Sequence, residues 1–500
     1  MKKSFIEGKK RYYINVLYNY LGKGSLIIVD LFLIKNYLMY LGIESYGLIS
    51  IYSILIILLS GFDFGLLPTT TRELSGYKAG KYSKKSVIKF LSAIEWKFII
   101  IGLILPVIMF FLSGPINSKW LNYYLVDENK FSIIFFAMGF ALYGRLIESI
   151  YRAALNGLQE NGKINGINII CSIIKYIAIV LGLKYLDNKI QFIFFFQFFL
   201  SLFTAYIFRY LTYKTIDIKN NNSQAPNIDL KIAYKFSIGM AIVAIESILL
   251  GQMDRIILSG TLGLEKFGYY SLVISASSII FLAIHPIVAT FGPKAMELRA
   301  KKQYRKLINY YHNTSKSVTI VMGGVGLVLF LYVEEILDIW LSRKDIVNII
   351  SSYIRLMLIG NFINGLCWLP FQLQTAYGWV RYGIISNAIA ILIITPALLY
   401  ITPRYGIYGA ITIWIILNTF YITFGISILH KKILKKEKYV WYLEDIIKPL
   451  IIQMTFTIIV YKIVNINSMS SYEKIIYFIC IFLSNISIAS YLLREKVKND

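Results

Sequence analysis

The chain has 500 residues, is 57% hydrophobic with a mean hydropathy of +0.62, and carries only 16% charged residues, against about 25% in soluble domains. That composition excludes an ordinary soluble protein. A net charge of +25 would point to nucleic acid in a soluble chain, so here the placement of Lys and Arg decides what it means.

Apolar stretches of roughly 17 to 25 residues read as membrane-spanning helices. In chain order they fall near residues 13–36, 46–68, 88–112, 131–155, 164–183, 190–213, 233–258, 268–292, 316–340, 348–374, 383–401, 407–429, 446–464 and 474–493. The expected fold is therefore an all-α polytopic membrane protein of about fourteen transmembrane helices. With the N-terminus inside, Lys and Arg in the inner segments outnumber those in the outer ones roughly threefold, which sets both termini in the cytoplasm. The inner clusters run from Lys2 to Arg11, Arg72 to Lys89, Arg299 to Lys306 and Lys431 to Lys438, whereas the outer loop around Glu334, Glu335 and Asp338 is acidic. Each basic cluster adjoins a span, so membrane lipids with anionic headgroups are the expected partner and nucleic acid is not. The first span is too long for a signal-peptide core, carries Lys23 and Asp30, and lacks a small-residue cleavage site, so it is expected to stay. Cys171, Cys367 and Cys480 fall in predicted helices, and His285, His312 and His430 do not cluster in the sequence. Neither a disulfide framework nor a metal site or cofactor is indicated.

A short phrase occurs twice, Leu41-Gly42-Ile43-Glu44-Ser45-Tyr46-Gly47 and Leu262-Gly263-Leu264-Glu265-Lys266-Phe267-Gly268, 221 residues apart. The same offset carries Gly157 onto Gly378 and Gly162 onto Gly383, and an offset of 220 carries Lys184-Tyr185 onto Arg404-Tyr405. The expected domains are a six-helix bundle over 1–213, a polar cytoplasmic linker over 214–232, a second six-helix bundle over 233–432, and two additional helices over 433–500. An even number of crossings per half makes this a parallel repeat, and repeated halves in a membrane chain place a substrate site where two bundles rock against each other. The longest outer loop, about 113–130, is too short for a folded domain. That disfavours a membrane glycosyltransferase or polymerase, so no enzyme and no catalytic residue is expected.

Several phrases stand along the chain in one order: Leu41-Gly42 to Tyr46-Gly47, Gly61-Phe62-Asp63-Phe64-Gly65-Leu66, Arg72-Glu73-Leu74-Ser75, Leu262 to Gly268, and Tyr405-Gly406-Ile407-Tyr408-Gly409-Ala410. In this order the chain resembles, over most of residues 1–430, the oligosaccharide flippases of bacterial surface polysaccharide synthesis. Their superfamily also holds multidrug exporters and lipid II flippases. The resemblance implies a V-shaped pair of helical bundles in the bacterial cytoplasmic (inner) membrane. Such a protein moves an undecaprenyl-diphosphate-linked oligosaccharide to the outer leaflet by alternating access, for O-antigen or capsule, alongside other polysaccharide assembly proteins. A lipid II flippase and a cation-coupled multidrug exporter are the alternatives.

Charged groups in hydrocarbon cost at least about 2.5–3.5 kcal/mol each, so they face a cavity or one another. On the first span Asn15, Asn19, Lys23 and Asp30 share a stripe about 80° wide. With a diphosphate substrate, Lys23 is the expected phosphate contact and Asp30 the expected site of H+ or Na+ coupling; structural pairing with a neighbouring helix is the other reading. On the fourth span Arg145, Glu148, Arg152 and Asn156 line one face, and two arginines suit a pyrophosphate that stays ionised in transit. An Arg–Glu–Arg structural network is the alternative. Lys175 on the fifth span joins the phosphate candidates. In the second half Glu246 and Asp254 are candidates for ion coupling, while Arg255 snorkels. His285 beside Pro286 either titrates in coupling or bonds a freed carbonyl. Asn361, Asn364, Trp368 and Gln372 form an amide and indole stripe suited to a glycan or to gluing helices. At the 221-residue offset this stripe misses the Arg145 stripe by roughly 140°. Asp63, between Gly61 and Gly65, is a candidate cytoplasmic gate or a static helix-end ion pair.

Overall fold

In hydrocarbon a segment has no water to bond its amide groups, and only a helix satisfies them within itself. The computed structural model describes residues 2–61, 65–121, 127–218 and 226–493, with side chains described except at 2–27, 60, 217–218, 230, 232–236, 239–240, 242–244, 247 and 380. The Lys23 side chain and the whole of Asp63 thus lie outside what is described. Among the described residues every regular element is helical. Among these residues the expected spans fall on helical backbone, with a break at Ser278 inside 268–292 and at Tyr332 inside 316–340, and eleven helical segments are long and apolar enough to cross a membrane. Two of these, Ile28–Leu59 and Arg381–Ile433, contain a glycine with non-helical dihedrals, Gly42 and Gly406 respectively.

The chain forms two compact units, Met1–Gly268 and Tyr269–Asp500. The first holds α1 (Lys2–Gly61), α2 (Leu66–Lys78), α3 (Lys84–Ile116), α4 (Glu128–Gly157), α5 (Asn161–Tyr185), α6 (Lys189–Ile218) and α7 (Leu230–Thr261), and α8 (Gly263–Ser277) begins in it. Helix α4 is its centre, packed on α2, α3 and α6, while α1 packs on α5 and α7. Small residues let α4 approach three neighbours closely. A Cβ on Gly139 would lie 2.4 Å from Pro106 Cα of α3, one on Gly144 3.0 Å from Phe198 O of α6, and one on Gly157 2.5 Å from Thr71 O of α2. Helix α2 also caps the end of α4. Thr71 Oγ1 donates to Ala153 O (3.1 Å), Ser75 Oγ to Gly157 O (3.1 Å) and Lys78 Nζ to Leu158 O (2.6 Å). The Arg72-Glu73-Leu74-Ser75 phrase is therefore a docking segment, with Glu73 buried and held by Arg72 Nε at 2.8 Å.

The second unit continues with α9 (Ile279–Ala300), α10 (Tyr304–Leu331), α11 (Val333–Leu341), α12 (Lys344–Ala376), α13 (Val380–Phe420), α14 (Ile426–Ile433), α15 (Lys438–Val440), α16 (Lys448–Ile463) and α17 (Ser471–Leu492). Helix α10 packs on α9, α12, α16 and α17. The C-terminal pair is fastened by buried amides rather than by apolar contact alone, because lipid tails are as apolar as leucine and give helices no reason to associate. Gln453 Nε2 donates to Ile320 O (2.8 Å), and Asn485 Nδ2 to Thr457 Oγ1 (3.0 Å).

The repeat is visible in the backbone. Gly42 and Gly263, 221 residues apart, both take a positive φ, +82° and +74°, a conformation that costs side-chain-bearing residues energy. Helices α4 and α12 end in one closing pattern: Gln159 N to Asn156 O with Glu160 N to Leu155 O, and Gly378 N to Thr375 O with Trp379 N to Gln374 O. Gln159 and Gly378 carry the positive φ at these ends, so the matching offset there is 219, not 221. The two-residue slip brings the Arg145 and Asn361 stripes from roughly 140° apart to roughly 60°. Arg145 then corresponds to Asn364, and Ser149 to Trp368.

Candidate functional site

In the first unit, α1, α4, α5 and α6 enclose a cavity of about 420 Å³, within the ~300–1,000 Å³ typical of ligand sites. Asp30, Arg145, Arg152 and Lys175, four of the residues singled out in the sequence, all line it. The spacing of three and four residues on α4 puts Arg145, Glu148 and Arg152 on one face. Glu148 is buried and its carboxylate is shared. Arg145 Nη1 donates to Oε2 at 3.0 Å, and Arg152 Nη2 donates to Oε1. Arg152 Nη2 also donates to Asn168 Oδ1 of α5 at 3.1 Å, and the guanidinium lies 5.2 Å from the centre of the Phe208 ring of α6. Arg145 is less constrained, since its Nε is buried without a hydrogen-bond partner. Across the cavity Lys175 Nζ of α5 bonds Asp30 Oδ1 of α1 at 2.7 Å, so two residues singled out for separate tasks form one ion pair.

The lining is completed by residues that the sequence reading passed over: Ser149, Asn168, Ser172, Ser201 and Thr204. Asn165, Asn168, Ser172 and Lys175 share one face of α5 at helical spacing, as Gln197, Ser201 and Thr204 do on α6. These polar stripes in apolar helices were the available signal. Charged and polar groups of one cavity at this depth can hold a polyanion: three cations are offset by two acids among the described lining residues, and guanidinium pairs bind phosphate oxygens in a fork geometry.

No protein-family model matches the chain. It is 22% identical over 381 residues to a Shigella flexneri protein named "Putative O-antigen transporter", taking in 75% of this chain and 87% of that one. It is 26% identical over 370 residues to a protein of the same name from Salmonella typhimurium, taking in 68% and 78%. Among solved structures it is similar to the lipid II flippase MurJ in an inward closed conformation, with a TM-score of 0.66, 16% identity, and 96% and 99% of the two chains covered. A multidrug resistance MATE family transporter of the MOP superfamily, inward-facing, superposes with a TM-score of 0.62 at 12% identity over 84% and 96%. The fold is that of these flippase and transporter structures. The all-helical polytopic architecture and the resemblance read from the sequence are borne out by these likenesses, and the chain is a multi-pass membrane protein.

The second unit holds a different polar set. Asn361 donates through Nδ2 to Ser277 Oγ (3.1 Å) and accepts from Trp414 Nε1 (3.0 Å). Asn364 donates to Asn418 Oδ1 (2.7 Å) and accepts from Trp368 Nε1 (3.0 Å), and the Trp368 ring stacks on Phe281 at 5.0 Å. The amides of Asn361 and Asn364 thus join α12 to α8 and α13, whereas the Trp368 N–H bonds within α12. The Gln372 carbonyl lies where a Cβ on Gly292 of α9 would meet it at 2.8 Å. On α7, Glu246 has a buried Oε1 without a hydrogen-bond partner, Asp254 is half-buried, and neither lines the cavity. His285 is exposed on α9.

Two of the histidines take part in polar contacts that the sequence reading did not foresee. His312 of α10 bonds Asp445 Oδ2 through Nδ1 (2.5 Å) and Glu437 Oε2 through Nε2 (3.2 Å). The adjacent Tyr311 hydroxyl bonds His430 Nε2 at 3.2 Å. Sequence separations of 119 to 133 residues hid this network.

Proposed function

We propose that the protein is a flippase that carries undecaprenyl-diphosphate-linked oligosaccharide from the cytoplasmic to the outer leaflet for surface polysaccharide synthesis. It works without covalent chemistry, by alternating access of its two halves, from the bacterial inner membrane, with fourteen crossings and both termini cytoplasmic. The observation that carries the reading is the cavity in which Arg145, Arg152 and Lys175 gather against apolar membrane helices. A drug-cation pocket wants acids and aromatic faces with few cations, whereas arginine forks suit a diphosphate that must stay ionised. The relatives named as O-antigen transporters support the oligosaccharide class. Lys23 is a further phosphate contact in this proposal, and Asp63 a gate.

The mechanism follows from the charges. The diphosphate enters the cavity from the inner leaflet, Arg145 and Arg152 take its oxygens, and the lipid tail stays in the bilayer. Asp30, Glu246 or Asp254 carries any coupling H+ or Na+. Of these, Glu246 has the buried oxygen without a hydrogen-bond partner that a proton would satisfy.

The test is genetic. Deleting the gene is expected to remove long-chain surface polysaccharide, and Arg145→Ala at matched expression is expected not to restore it. Intact polysaccharide after deletion, in a strain without a second flippase, overturns the assignment. Lipid II is the second anionic substrate of this kind, favoured by the likeness to MurJ over 96% of the chain. Rescue of a lipid II flippase depletion strain would select it.

A further inference from the structure

The arginines that a diphosphate would meet are already occupied. Glu148 gives one oxygen to Arg145 and the other to Arg152, and Asp30 holds Lys175 in the same cavity. Each cation among the described lining residues therefore has an acid of the protein on it. A carboxylate and a phosphate present the same two-oxygen edge to guanidinium groups, so Glu148 sits where a substrate phosphate would bind.

We propose that Glu148 is a built-in competitor of the substrate: a positioning residue that stands in for a phosphate in the empty cavity and is displaced when the diphosphate arrives. This rests on the reading of the cavity as a diphosphate site. The two arginines differ in how readily they exchange. Arg152 is held from three sides, by Glu148, by Asn168 of α5 and by the Phe208 ring of α6. Arg145 has Glu148 on one side and the buried Tyr52 hydroxyl beside it, with nothing among the described residues of α5 or α6 holding it. Exchange accordingly begins at Arg145, where the phosphate displaces the Glu148 oxygen from Nη1, while Arg152 stays as the fixed wall.

The arrangement has a use in a transporter. Binding must be favourable enough to load the site and weak enough to empty it, and a substrate that has to displace an internal anion is held less tightly by what that anion regains on release. Asp30 acts on Lys175 in the same sense, from a more exposed position: its side chain is 59% exposed, against 4% for Glu148.

The protein carries its own reporter, since Cys171 lines the cavity, Cys367 is buried and Cys480 is exposed. In full-length Cys480→Ser protein in nanodiscs at fixed ionic strength, maleimide labelling of Cys171 is titrated against inorganic pyrophosphate. Glu148→Gln keeps the shape and one acceptor oxygen but removes the charge. It is expected to lower the half-protecting pyrophosphate concentration at least tenfold, and to gain more in Tm from saturating pyrophosphate than the wild type does. That anion rescue is what a purely structural Glu148 would not produce. Asp30→Asn, at the exposed pair, is expected to lower the half-protecting concentration severalfold, and it carries the test if Glu148→Gln does not fold. Unchanged or weaker protection in the variants, with the wild type protected, overturns the competitor role alone. Labelling that pyrophosphate never slows, in the wild type as in the variants, overturns the diphosphate reading and this inference with it.

Discussion

Gly47 and Gly268 make the same contact in opposite directions. A Cβ on Gly47 would lie 2.4 Å from Leu264 O, and a Cβ on Gly268 2.4 Å from Ile43 O. The offset of 221 residues carries Gly47 onto Gly268 and Ile43 onto Leu264, so the two copies of the repeated phrase face each other about a local two-fold axis. Each glycine is required by its counterpart's carbonyl, and each turn is enabled by the positive φ of Gly42 or Gly263.

This symmetry makes Gly47→Ala and Gly268→Ala equivalent. The obstacle in both is a backbone oxygen, which cannot swing aside as a side chain does, so each is expected to cost about 1–3 kcal/mol of overpacking. Gly162→Ala is the control, because nothing lies within 4 Å of its added Cβ and alanine is the better helix former by up to ~1 kcal/mol. Thermal unfolding of the three variants in one detergent checks the pattern. A large drop for one of the pair with none for the other would remove the two-fold reading.

Asn168→Leu is expected to impair transport without touching any charge. Asn168 is buried, and its Oδ1 accepts from Arg152 Nη2 at 3.1 Å. Losing a hydrogen bond to a charged group costs ~1.5–3 kcal/mol and frees the guanidinium to leave its place over Phe208. Polysaccharide export should fall severalfold at unchanged expression, and Asn168→Gln should recover part of it. Export equal to wild type in Asn168→Leu would show that Arg152 needs no support from α5.

The sequence announced the ionic part of this site and not its polar wall, for a physical reason. A charge in an apolar helix is conspicuous because its burial is costly, so Arg145, Arg152, Lys175 and Asp30 could be singled out one by one. What could not be read was the pairing: Lys175 and Asp30 lie 145 residues apart, and periodicity ties residues together only within a helix. Serine and threonine are cheap in a span because each bonds its own helix, as Ser172 Oγ does with Asn168 O and Thr204 Oγ1 with Leu200 O. They therefore stand out only as stripes. The helical spans were largely legible, including the breaks at Gly42 and Gly406 but not those at Ser278 and Tyr332, which fall inside two expected spans. The register between the halves was misread because glycines at equivalent turns are not at equivalent positions: Gly378 ends α12 where Gln159 ends α4.

The Asp30–Lys175 pair ties α1 to α5, and its worth is separable from the charge it brings to the cavity. Asp30→Lys and Lys175→Asp each set like charges 2.7 Å from where opposite ones met, while the double exchange restores an ion pair. With Asp30 more than half exposed, the pair is worth only ~0–1 kcal/mol to stability. The singles should therefore lose little in Tm but much in transport, and the double variant should export more than either single. A double variant no better than the worse single would mean that the position of the cation, not the pair, matters.

The network around His312 makes a prediction about the C-terminal helices. Asp445 is fully buried, and its hydrogen-bonded partner is the His312 ring, which Glu437 holds from the other side. Trp441, between the two acids, donates to Ser315 Oγ of α10 at 3.2 Å, so one turn of α10 fastens the segment that leads into α16. Removing one member of a buried pair strands the other, at a cost of about 3–5 kcal/mol, whereas replacing both by apolar groups is far cheaper. His312→Leu should therefore expose the 434–447 segment to protease in membrane vesicles and lower Tm. Adding Asp445→Leu should restore much of both, because the stranded carboxylate is then gone. The half-buried partner Glu437 offers the contrast: Glu437→Gln leaves the His312–Asp445 bond in place and should change stability by less than about 1 kcal/mol. Equal damage from His312→Leu alone and from the double variant would mean that the imidazole acts through its shape in the core and not through its bond to Asp445.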